Sequence, residues 1–363
     1  MSATPDRDLL RRLALAAGPP GAEGEVREIV RETLSGVGEL SYDRLGSVLC
    51  QVPGAATGPR VVLDGHMDEV GFMAASIRGD GRVTFAPLGG WWGHVLLAQR
   101  VEILTERGKV GGVIASKPPH FLGADERSKV IAIEQMAIDL GVSNREEAVA
   151  LGVQVGDPIV PQAQFQELAG GKVASCKAFD NRVGIGLLCE LLRDAAAQPQ
   201  HPNTLMGVAA VQEEVGLRGA RTASTLTNPD AAVILEATPA DDMPGVTEPQ
   251  GVLGRGPQIR FMDPTAIANR RLVRLTQEVA AAEEIPVQLA VRRAGGTNAG
   301  SIQSYGQGVP TVVIGVPARY IHTHVSLVSW QDYAATKQLV QALVARLDAA
   351  TVAGLVAFDE GGN

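Results

Sequence analysis

The chain has 363 residues, of which 45% are hydrophobic and 20% charged, with a formal net charge of −8 at pH 7. This composition is typical of a globular protein with a sizeable core, and the length predicts two domains or one α/β unit with an insertion. The acidic balance excludes the basic face that a nucleic acid requires. Because no window approaches a membrane span of ~18 apolar residues and no signal sequence is evident, we expect a cytoplasmic protein without a membrane partner.

The first part of the sequence predicts two helices followed by a strand. Apolar residues recur at helical spacing over residues 9–13 and again over 26–34, after a break rich in glycine and proline. The apolar run 60–64 predicts a strand, and the polar cluster 65–69 follows it directly. Because functional residues of α/β proteins lie where the strands end, we place the chemistry at the end of this strand.

The middle of the chain has a different pattern. Short strand candidates broken by glycines occur at residues 82–85, 99–104 and 109–115. A helix is predicted to begin at Ser143, which fits a capping box with Glu146. We interpret residues 73–165 as a small β-rich domain inserted into an α/β domain that comprises residues 1–72 and 166–363.

Helices and strands alternate again in the second part of the α/β domain. The predicted helices are 182–192, 270–281 and 331–347, and Ser329 is the expected N-cap of the last one. The predicted strands are 204–211, 231–235 and 311–314. The glycine-rich end at Gly361 and Gly362 is expected to fray.

Histidines and carboxylates follow several of these strands or occupy the loops between them. They are His66, Asp68, Asp180, Glu213, Glu214, Glu236, His322 and His324. The HExxH motif of a single-metal protease helix is absent from the sequence. Imidazoles and carboxylates gathered from separate segments are typical of a pair of divalent cations, in which one carboxylate bridges both ions.

Each local pattern also has a purely structural interpretation. His66 is either a metal ligand whose ring is oriented by Asp68 or a hydrogen-bonded turn histidine. Asp180 directly precedes a predicted helix and is equally suited to be its N-cap. Glu213 and Glu214 are either a general base beside a metal ligand or two carboxylates on a solvated loop.

The remaining candidates lie late in the chain. Glu236 interrupts an apolar strand, where an ionisable group is costly unless it is paired or bound to a metal. His322 and His324 are two residues apart, and this alternation predicts that they share a face. No more than one of the two is needed as a ligand.

The segments that contain these residues resemble the TET-type glutamyl/deblocking aminopeptidase family of dinuclear metallopeptidases. The resemblance covers nearly the whole chain and includes LDGHMDEVGFM, GVIASKPPH, CKAFDNRVG, VQEEVGLRGA, LEATPADDMPG, GGTNAGSI and RYIHTHVSLVS, in that family's order. It implies a mixed-sheet α/β/α metallopeptidase domain in which the insertion is a PDZ-like dimerisation domain. It also implies a metal-dependent aminopeptidase that removes N-terminal residues from peptide substrates and assembles from dimers into a tetrahedral dodecamer.

The resemblance also implies two divalent metal ions per chain, with zinc expected and cobalt or manganese as alternatives. His66, Asp180 and Glu236 would hold one ion. Asp180 would bridge to the second ion, which Glu214 and His322 would also hold.

The roles of the remaining residues follow from the same resemblance. Glu213 would be the general base and acid, Asp68 would orient the first histidine, and a non-proline cis peptide bond would follow Asp180. Two positions depart from the family, because many members have aspartate in place of Glu236 and in place of Asn298. The second departure removes a charge from a loop near the expected substrate pocket.

Two other functions agree with parts of this pattern. A non-catalytic scaffold or peptide-binding paralogue would keep the assembly without the chemistry, but every expected ligand and base position has a competent side chain. Some family members are labelled endoglucanases, yet a glucan cleft needs two flanking carboxyl groups and aromatic platforms. The chain has only three tryptophans, and two of them, Trp91 and Trp92, lie in the insertion.

Overall fold

A computed structural model of the protein describes residues 4–55, 57–198 and 200–358. Within these ranges, eleven strands form one mixed sheet and six strands form a closed barrel. None of the helices in the described part of the chain is long and apolar enough to cross a membrane. Gly361 and Gly362, where fraying was predicted, lie outside the described residues.

The secondary structure elements are numbered in chain order. The helices are α1 (Arg7–Leu15), α2 (Gly24–Leu34), α3 (Ala124–Arg127), α4 (Arg145–Ala150), α5 (Phe179–Ala196), α6 (Arg218–Thr227), α7 (Arg270–Ala282), α8 (Ala299–Gln303), α9 (Trp330–Val344) and α10 (Ala349–Leu355). The first nine strands are β1 (Glu39–Tyr42), β2 (Val48–Val52), β3 (Arg60–His66), β4 (Gly71–Ile77), β5 (Val83–Leu88), β6 (Arg100–Thr105), β7 (Gly108–Ala115), β8 (Ala137–Asp139) and β9 (Pro158–Pro161). The others are β10 (Gln166–Leu168), β11 (Val173–Cys176), β12 (Thr204–Ala210), β13 (Ala231–Pro239), β14 (Gln258–Met262), β15 (Gln288–Val291), β16 (Thr311–Arg319) and β17 (Ser326–Ser329).

The mixed sheet has the strand order β1-β2-β12-β3-β13-β16-β17-β11-β10, with β14 and β15 joined to β16. Its centre is parallel, because β3 pairs in parallel with β12 and β13, and β13 pairs in parallel with β16. The carboxyl ends of these four strands therefore lie at one edge. Parallel strands that are buried on both faces have largely apolar sequences, and these four strands do as well.

Helices cover both faces of this sheet. Val61 and Leu63 of β3 belong to the larger core cluster, with apolar residues of α1, α2, α5, α7 and α9. Val62, on the opposite side of the same strand, belongs to a smaller cluster with α6 and α8. This alternation follows from the period of two along a strand. The predicted α/β/α arrangement with a mixed sheet is confirmed.

The β-rich insertion is a six-stranded barrel with the strand order β4-β5-β8-β7-β6-β9. It has its own apolar core, which includes Phe72, Ile103 and Ile138. The PDZ-like character of the insertion, its limits at residues 73 and 165 and its role in dimerisation stay predictions.

The predicted caps of two helices can be compared with the structure, and one of them differs. The capping box of Ser143 with Glu146 was wrong by one position, because the N-cap of α4 is Asn144, whose Oδ1 accepts the Glu147 N–H at 2.9 Å. Glu147 in turn accepts the Ser143 N–H at 2.8 Å. Asparagine and serine are equally good N-caps, so composition did not distinguish them. Ser329 does cap α9, as predicted.

Candidate active site

The predicted residues converge at the carboxyl edge of the parallel strands. His66 is the last residue of β3, Glu236 lies within β13, and the loop after β12 supplies the two adjacent glutamates. Asp180 comes from the start of α5 and His322 from the turn between β16 and β17. Parallel strands end at the same edge of a sheet, which brings together residues that are far apart in sequence.

His66 is the centre of the first group of side chains. Its Nε2 lies 3.3 Å from Asp180 Oδ1, 3.5 Å from Glu236 Oε1 and 3.9 Å from Glu213 Oε2. The His66 side chain is only 2% exposed. Donor atoms of His66, Glu213 and Glu236 lie within 4.8 Å of one another, a separation that allows them to bind one cation.

His322 is the centre of the second group. Its Nε2 lies 3.2 Å from Asp180 Oδ2 and also 3.2 Å from Glu214 Oε1. The two oxygens of Asp180 are therefore divided between two histidines. A second set of donor atoms within 4.8 Å of one another comes from His66, Asp180 and Glu214.

The start of α5 explains why Asp180 points into this site. Ala178 has a left-handed backbone (φ +59°), and Asp180 and Asn181 have non-helical angles and a cis peptide bond between them. Asn181 then joins α5 to β13, because its Nδ2 donates to Leu235 O at 2.8 Å and its Oδ1 accepts the Ala237 N–H at 3.1 Å. The N-cap interpretation of Asp180 is wrong, since its carboxylate faces the histidines.

Asp68 connects the two groups. Its Oδ1 accepts the Glu213 N–H at 2.9 Å, and its Oδ2 accepts the Glu214 N–H at 3.0 Å. The Nδ1 atom of His66 lies 3.1 Å from the Asp68 carbonyl and 3.4 Å from Asp68 Oδ1. With Nδ1 as the donor, Nε2 is the nitrogen that faces the carboxylates, and it would be the one to bind a cation once it has lost its proton. Asp68 therefore fixes the glutamate loop as well as the imidazole, and the sequence indicated only the second contact.

The other histidine ring is oriented by the insertion. The Nδ1 atom of His322 lies 2.7 Å from the Gly90 carbonyl, in the loop after β5. This contact was not predicted from the sequence. The same loop also packs within the barrel, since Trp91 stacks on Phe72 with ring centroids 4.7 Å apart. No local signal in the sequence links Gly90 to a histidine so distant along the chain.

His324 does not join the cluster. Its Nε2 lies 3.1 Å from the Arg100 carbonyl, and its ring is 5.9 Å from that of Trp91. The prediction that His322 and His324 share a face was wrong, because this segment is a turn in which His322 has a left-handed backbone (φ +56°). The period of two applies only to a strand.

A cavity of about 330 Å³ opens beside the cluster. Its walls beyond the candidate ligands include Leu217, Pro239, Arg260, Gly296, Thr297 and Ile321. Asn298 does not line this cavity. It is buried and donates from Nδ2 to Asp64 Oδ1 at 2.7 Å, so its side chain is directed towards β3.

Burial and mutual charge shift the titration of these groups. Burial raises the pKa of Glu213 well above its ordinary value, and the charge of His66 opposes the rise only in part. Burial acts against the charged form of His322, but the carboxylates of Asp180 and Glu214, each 3.2 Å from its Nε2 atom, outweigh it and raise the pKa of the imidazole to about 11. The carboxylates thus outnumber the cationic groups that face them, and the site favours added positive charge.

One buried carboxylate oxygen indicates whether the site is suited to a cation. Glu214 Oε1 has no hydrogen-bond partner, although it is close to His322 Nε2. An unpartnered carboxylate oxygen in the protein interior is costly unless it binds a cation. Imidazole nitrogens and carboxylate oxygens are suitable ligands for zinc, cobalt and manganese. The residues present therefore fit divalent cations.

Fold and site together define a hydrolase of the kind that cleaves peptide bonds with the help of divalent cations. More narrowly, the chain belongs to the M42 glutamyl aminopeptidase family, whose model matches residues 46–339. The protein is an aminopeptidase, and the candidate metal-binding residues agree with the metal dependence of the family.

Individual relatives support this assignment. The chain is 37% identical over 350 residues to the putative aminopeptidase FrvX of Escherichia coli (strain K12), covering 95% of this chain and 96% of that one. The TET aminopeptidase from the marine sediment archaeon Thaumarchaeota archaeon SCGC AB-539-E09 has a similar structure, with a TM-score of 0.94, 45% identity and coverage of 96% and 98%. The Pyrococcus horikoshii TET1 peptidase, which can assemble into a tetrahedron or a large octahedral shell, has a TM-score of 0.83, 28% identity and coverage of 93% and 98%.

Proposed function

We propose that the site binds two divalent cations on either side of Asp180. His66 and Glu236 complete the first set of ligands, and Glu214 and His322 complete the second. The observation that supports this most is the division of the two Asp180 oxygens between the two imidazole nitrogens, at 3.3 and 3.2 Å. Glu236 is longer than the aspartate of many relatives but still approaches His66 to 3.5 Å. Zinc is the expected metal, with cobalt or manganese as alternatives.

Glu213 is the proposed general base and acid. The bound cations would polarise the scissile carbonyl and lower the pKa of the attacking water. Glu213 is suited to take the proton of that water because its carboxylate is buried beside His66 and its pKa is raised above the ordinary value. It then returns the proton to the leaving amine. Asp68 holds the Glu213 amide, so the base is positioned before substrate binds.

The substrate is proposed to be the N-terminal end of a peptide. The cavity beside the cluster is about 330 Å³, which is enough for one terminal residue and is surrounded by loops. A free α-amino group would lie beside one of the cations and the nearby carboxylates, and an internal residue of a peptide has no such group. Cleavage at the amino terminus is therefore proposed from this contact as well as from the size of the cavity.

The assembly is proposed by analogy with the TET relatives. The barrel would be the dimerisation domain, and dimers would form a tetrahedral dodecamer. A cytoplasmic location also stays a prediction. Neither expectation is needed for the proposed reaction.

The alternative functions have less support. Among the described residues, the cavity beside the cluster is lined by no tryptophan, tyrosine or phenylalanine, so a glucan would find no aromatic platform there. A non-catalytic scaffold would not need a buried base beside an unpartnered ligand oxygen, that of Glu214 Oε1.

The variant Glu213→Gln tests the proposed role of the base. We expect it to bind two metals with unchanged stoichiometry and to lose peptidase activity by at least about 100-fold, because general-base catalysis contributes ~10²–10⁴-fold. Glu248→Gln, which changes an exposed glutamate that does not line the cavity, is the matched control. Full activity in the metal-loaded Glu213→Gln protein would overturn the proposal.

A further inference from the structure

Two buried carboxylates hold three consecutive amides of the loop that contains Glu213. Asp68 accepts the N–H groups of residues 213 and 214, as described above. The third amide, that of Gln212, is held by Glu23, whose Oε1 accepts it at 3.2 Å. The same oxygen accepts the Gly21 N–H at 2.8 Å.

Glu23 lies outside the proposed metal and substrate sites. It precedes α2 at the N-cap position, but its side chain does not cap that helix. It is 1% exposed, and its carboxylate lies 3.9 Å from the guanidinium of Arg27. Burial raises the pKa of Glu23, and hydrogen bonds from Gly21 and Gln212 act in the opposite direction. Burying a carboxylate costs free energy of solvation, and the hydrogen bonds that Glu23 accepts offset this cost.

When three successive peptide planes are held in place, the backbone angles of the two residues between them are determined. The amides of 212, 213 and 214 belong to three adjacent planar peptide groups, so their directions define φ and ψ of Gln212 and Glu213. Gln212 has a left-handed backbone (φ +55°), which a non-glycine residue rarely adopts without support. The direction of the Cα–Cβ bond of Glu213 follows from these angles. Without the bond to Glu23, the first of the three planes keeps only the bond at its other side, which Val211 O accepts from the Gly219 N–H at 2.9 Å.

We propose that Glu23 is a positioning residue for Glu213. It acts through the backbone of Gln212 and sets the direction from which the Glu213 carboxylate approaches the water and the leaving amine. The inference rests on the proposed role of Glu213 as the base. Its structural part, the restraint of the loop by a carboxylate at the start of α2, is measurable separately.

Substitutions at Glu23 and at its near neighbour Glu25 test this role. Glu23→Leu removes both acceptor bonds, whereas Glu23→Gln keeps an amide oxygen in the place of Oε1. Glu23→Asp keeps the charge but withdraws the oxygen by one methylene, and it serves if the leucine variant does not fold. Glu25→Leu is the control, because Glu25 also accepts a backbone N–H, that of Ala17 at 2.9 Å, but its side chain is 47% exposed and accepts none of the three loop amides.

Four quantities are measured for each protein: kcat, KM, metal content and hydrogen exchange of the peptide that covers residues 212–214. We expect Glu23→Leu and Glu23→Asp to lower kcat about tenfold or more, with KM and metal content unchanged, since small displacements of a catalytic group have effects of up to ~100-fold. The exchange of these three amides is expected to accelerate in both variants. Glu23→Gln is expected to recover most of kcat and of the protection, and Glu25→Leu to resemble the unaltered protein.

Each contrary result has a distinct meaning. The proposal is overturned if amide exchange at 212–214 is the same in Glu23→Leu, Glu23→Asp and Glu25→Leu. It is also overturned if kcat falls only in proportion to lost metal, because Glu23 would then act on the ligands and not on the base. If the unaltered protein has no peptidase activity when loaded with metal, the proposed function fails, and the exchange measurement still decides whether Glu23 restrains the loop.

Discussion

Asn298 donates a hydrogen bond of 2.7 Å from its Nδ2 atom to Oδ1 of Asp64, and both side chains are buried. This pair lies beneath the proposed metal site, because Asp64 is two residues before His66 on the same side of β3. It also joins β3 to the loop whose Gly296 and Thr297 line the cavity. Asparagine at 298, where many relatives have aspartate, is thus matched to the carboxylate that faces it.

This pairing predicts that replacing Asn298 by the aspartate of many relatives strongly destabilises the fold. Asn298→Asp would place two buried carboxylates against each other and is expected to lower the free energy of unfolding by about 2–4 kcal/mol. The double variant Asp64→Asn with Asn298→Asp restores one carboxylate and one amide, and it should recover most of this loss. Urea denaturation of the metal-free proteins measures both effects. Equal stability of Asn298→Asp and the unaltered chain would contradict the pairing.

Asp68 is expected to affect turnover more than metal retention. Its two oxygens hold the amides of Glu213 and Glu214, so Asp68→Asn replaces one acceptor by an NH₂ group that opposes an N–H. We predict a fall in kcat of about 10- to 100-fold, as is usual for residues that orient ligands and bases. Steady-state kinetics and metal analysis on the same sample provide the check. Loss of metal with an unchanged kcat per bound metal would show that Asp68 acts on His66 alone.

The site and fold were predictable from sequence to different extents. The strands that contain His66 and Glu236 and the strand that precedes Glu213 were found because apolar runs followed by polar residues are local signals. The resemblance of whole segments then pointed to Asp180, Glu214 and His322 as further members of the site, and the structure brings their side chains together. Their roles as ligands stay predictions.

The contacts that orient these groups were not predictable in the same way. Asp180 had the local appearance of an N-cap, and only the fold brings it within 3.2 Å of His322. Gly90, Glu23 and Asn298 gave no local signal of their contacts either, since each meets its partner through the tertiary structure. A one-residue error at α4 had a simpler cause, because serine and asparagine compete equally as N-caps.

Metal binding should release protons at neutral pH. In the metal-free chain, the carboxylates around His322 raise the pKa of its imidazole to about 11, and those around His66 raise its pKa despite the opposing effect of burial. The His322 imidazole is therefore cationic near pH 7 and must lose a proton to become a ligand, and the raised pKa of His66 acts in the same direction. Metal affinity is expected to rise with pH and to weaken as the pH falls. Calorimetric titration in buffers of different ionisation enthalpy measures the released protons, and binding heats independent of the buffer would contradict this prediction.

A cluster of buried ion pairs behind the site is expected to contribute much more to the free energy of unfolding than an ion pair at the surface. Glu69 Oε1 lies 2.5 Å from Lys177 Nζ and 3.2 Å from Arg182 Nη2, and all three side chains are buried. Glu69→Ala leaves two buried cations without a carboxylate and is expected to destabilise the protein by about 3–5 kcal/mol. Glu32→Ala removes an exposed pair with Arg12 and is expected to cost below about 1 kcal/mol. Chemical denaturation of both variants tests the difference, and similar losses would refute it.

The most direct test of the dinuclear site is the metal content per chain, measured together with hydrolysis of a panel of amino-acid p-nitroanilides before chelation, after chelation and after metal is added back. The account predicts about two divalent ions per chain, loss of cleavage with their removal and recovery with their return. The same panel identifies the preferred N-terminal residue. One ion or none, with cleavage that does not respond to chelation or to added metal, would contradict the proposed two-metal chemistry.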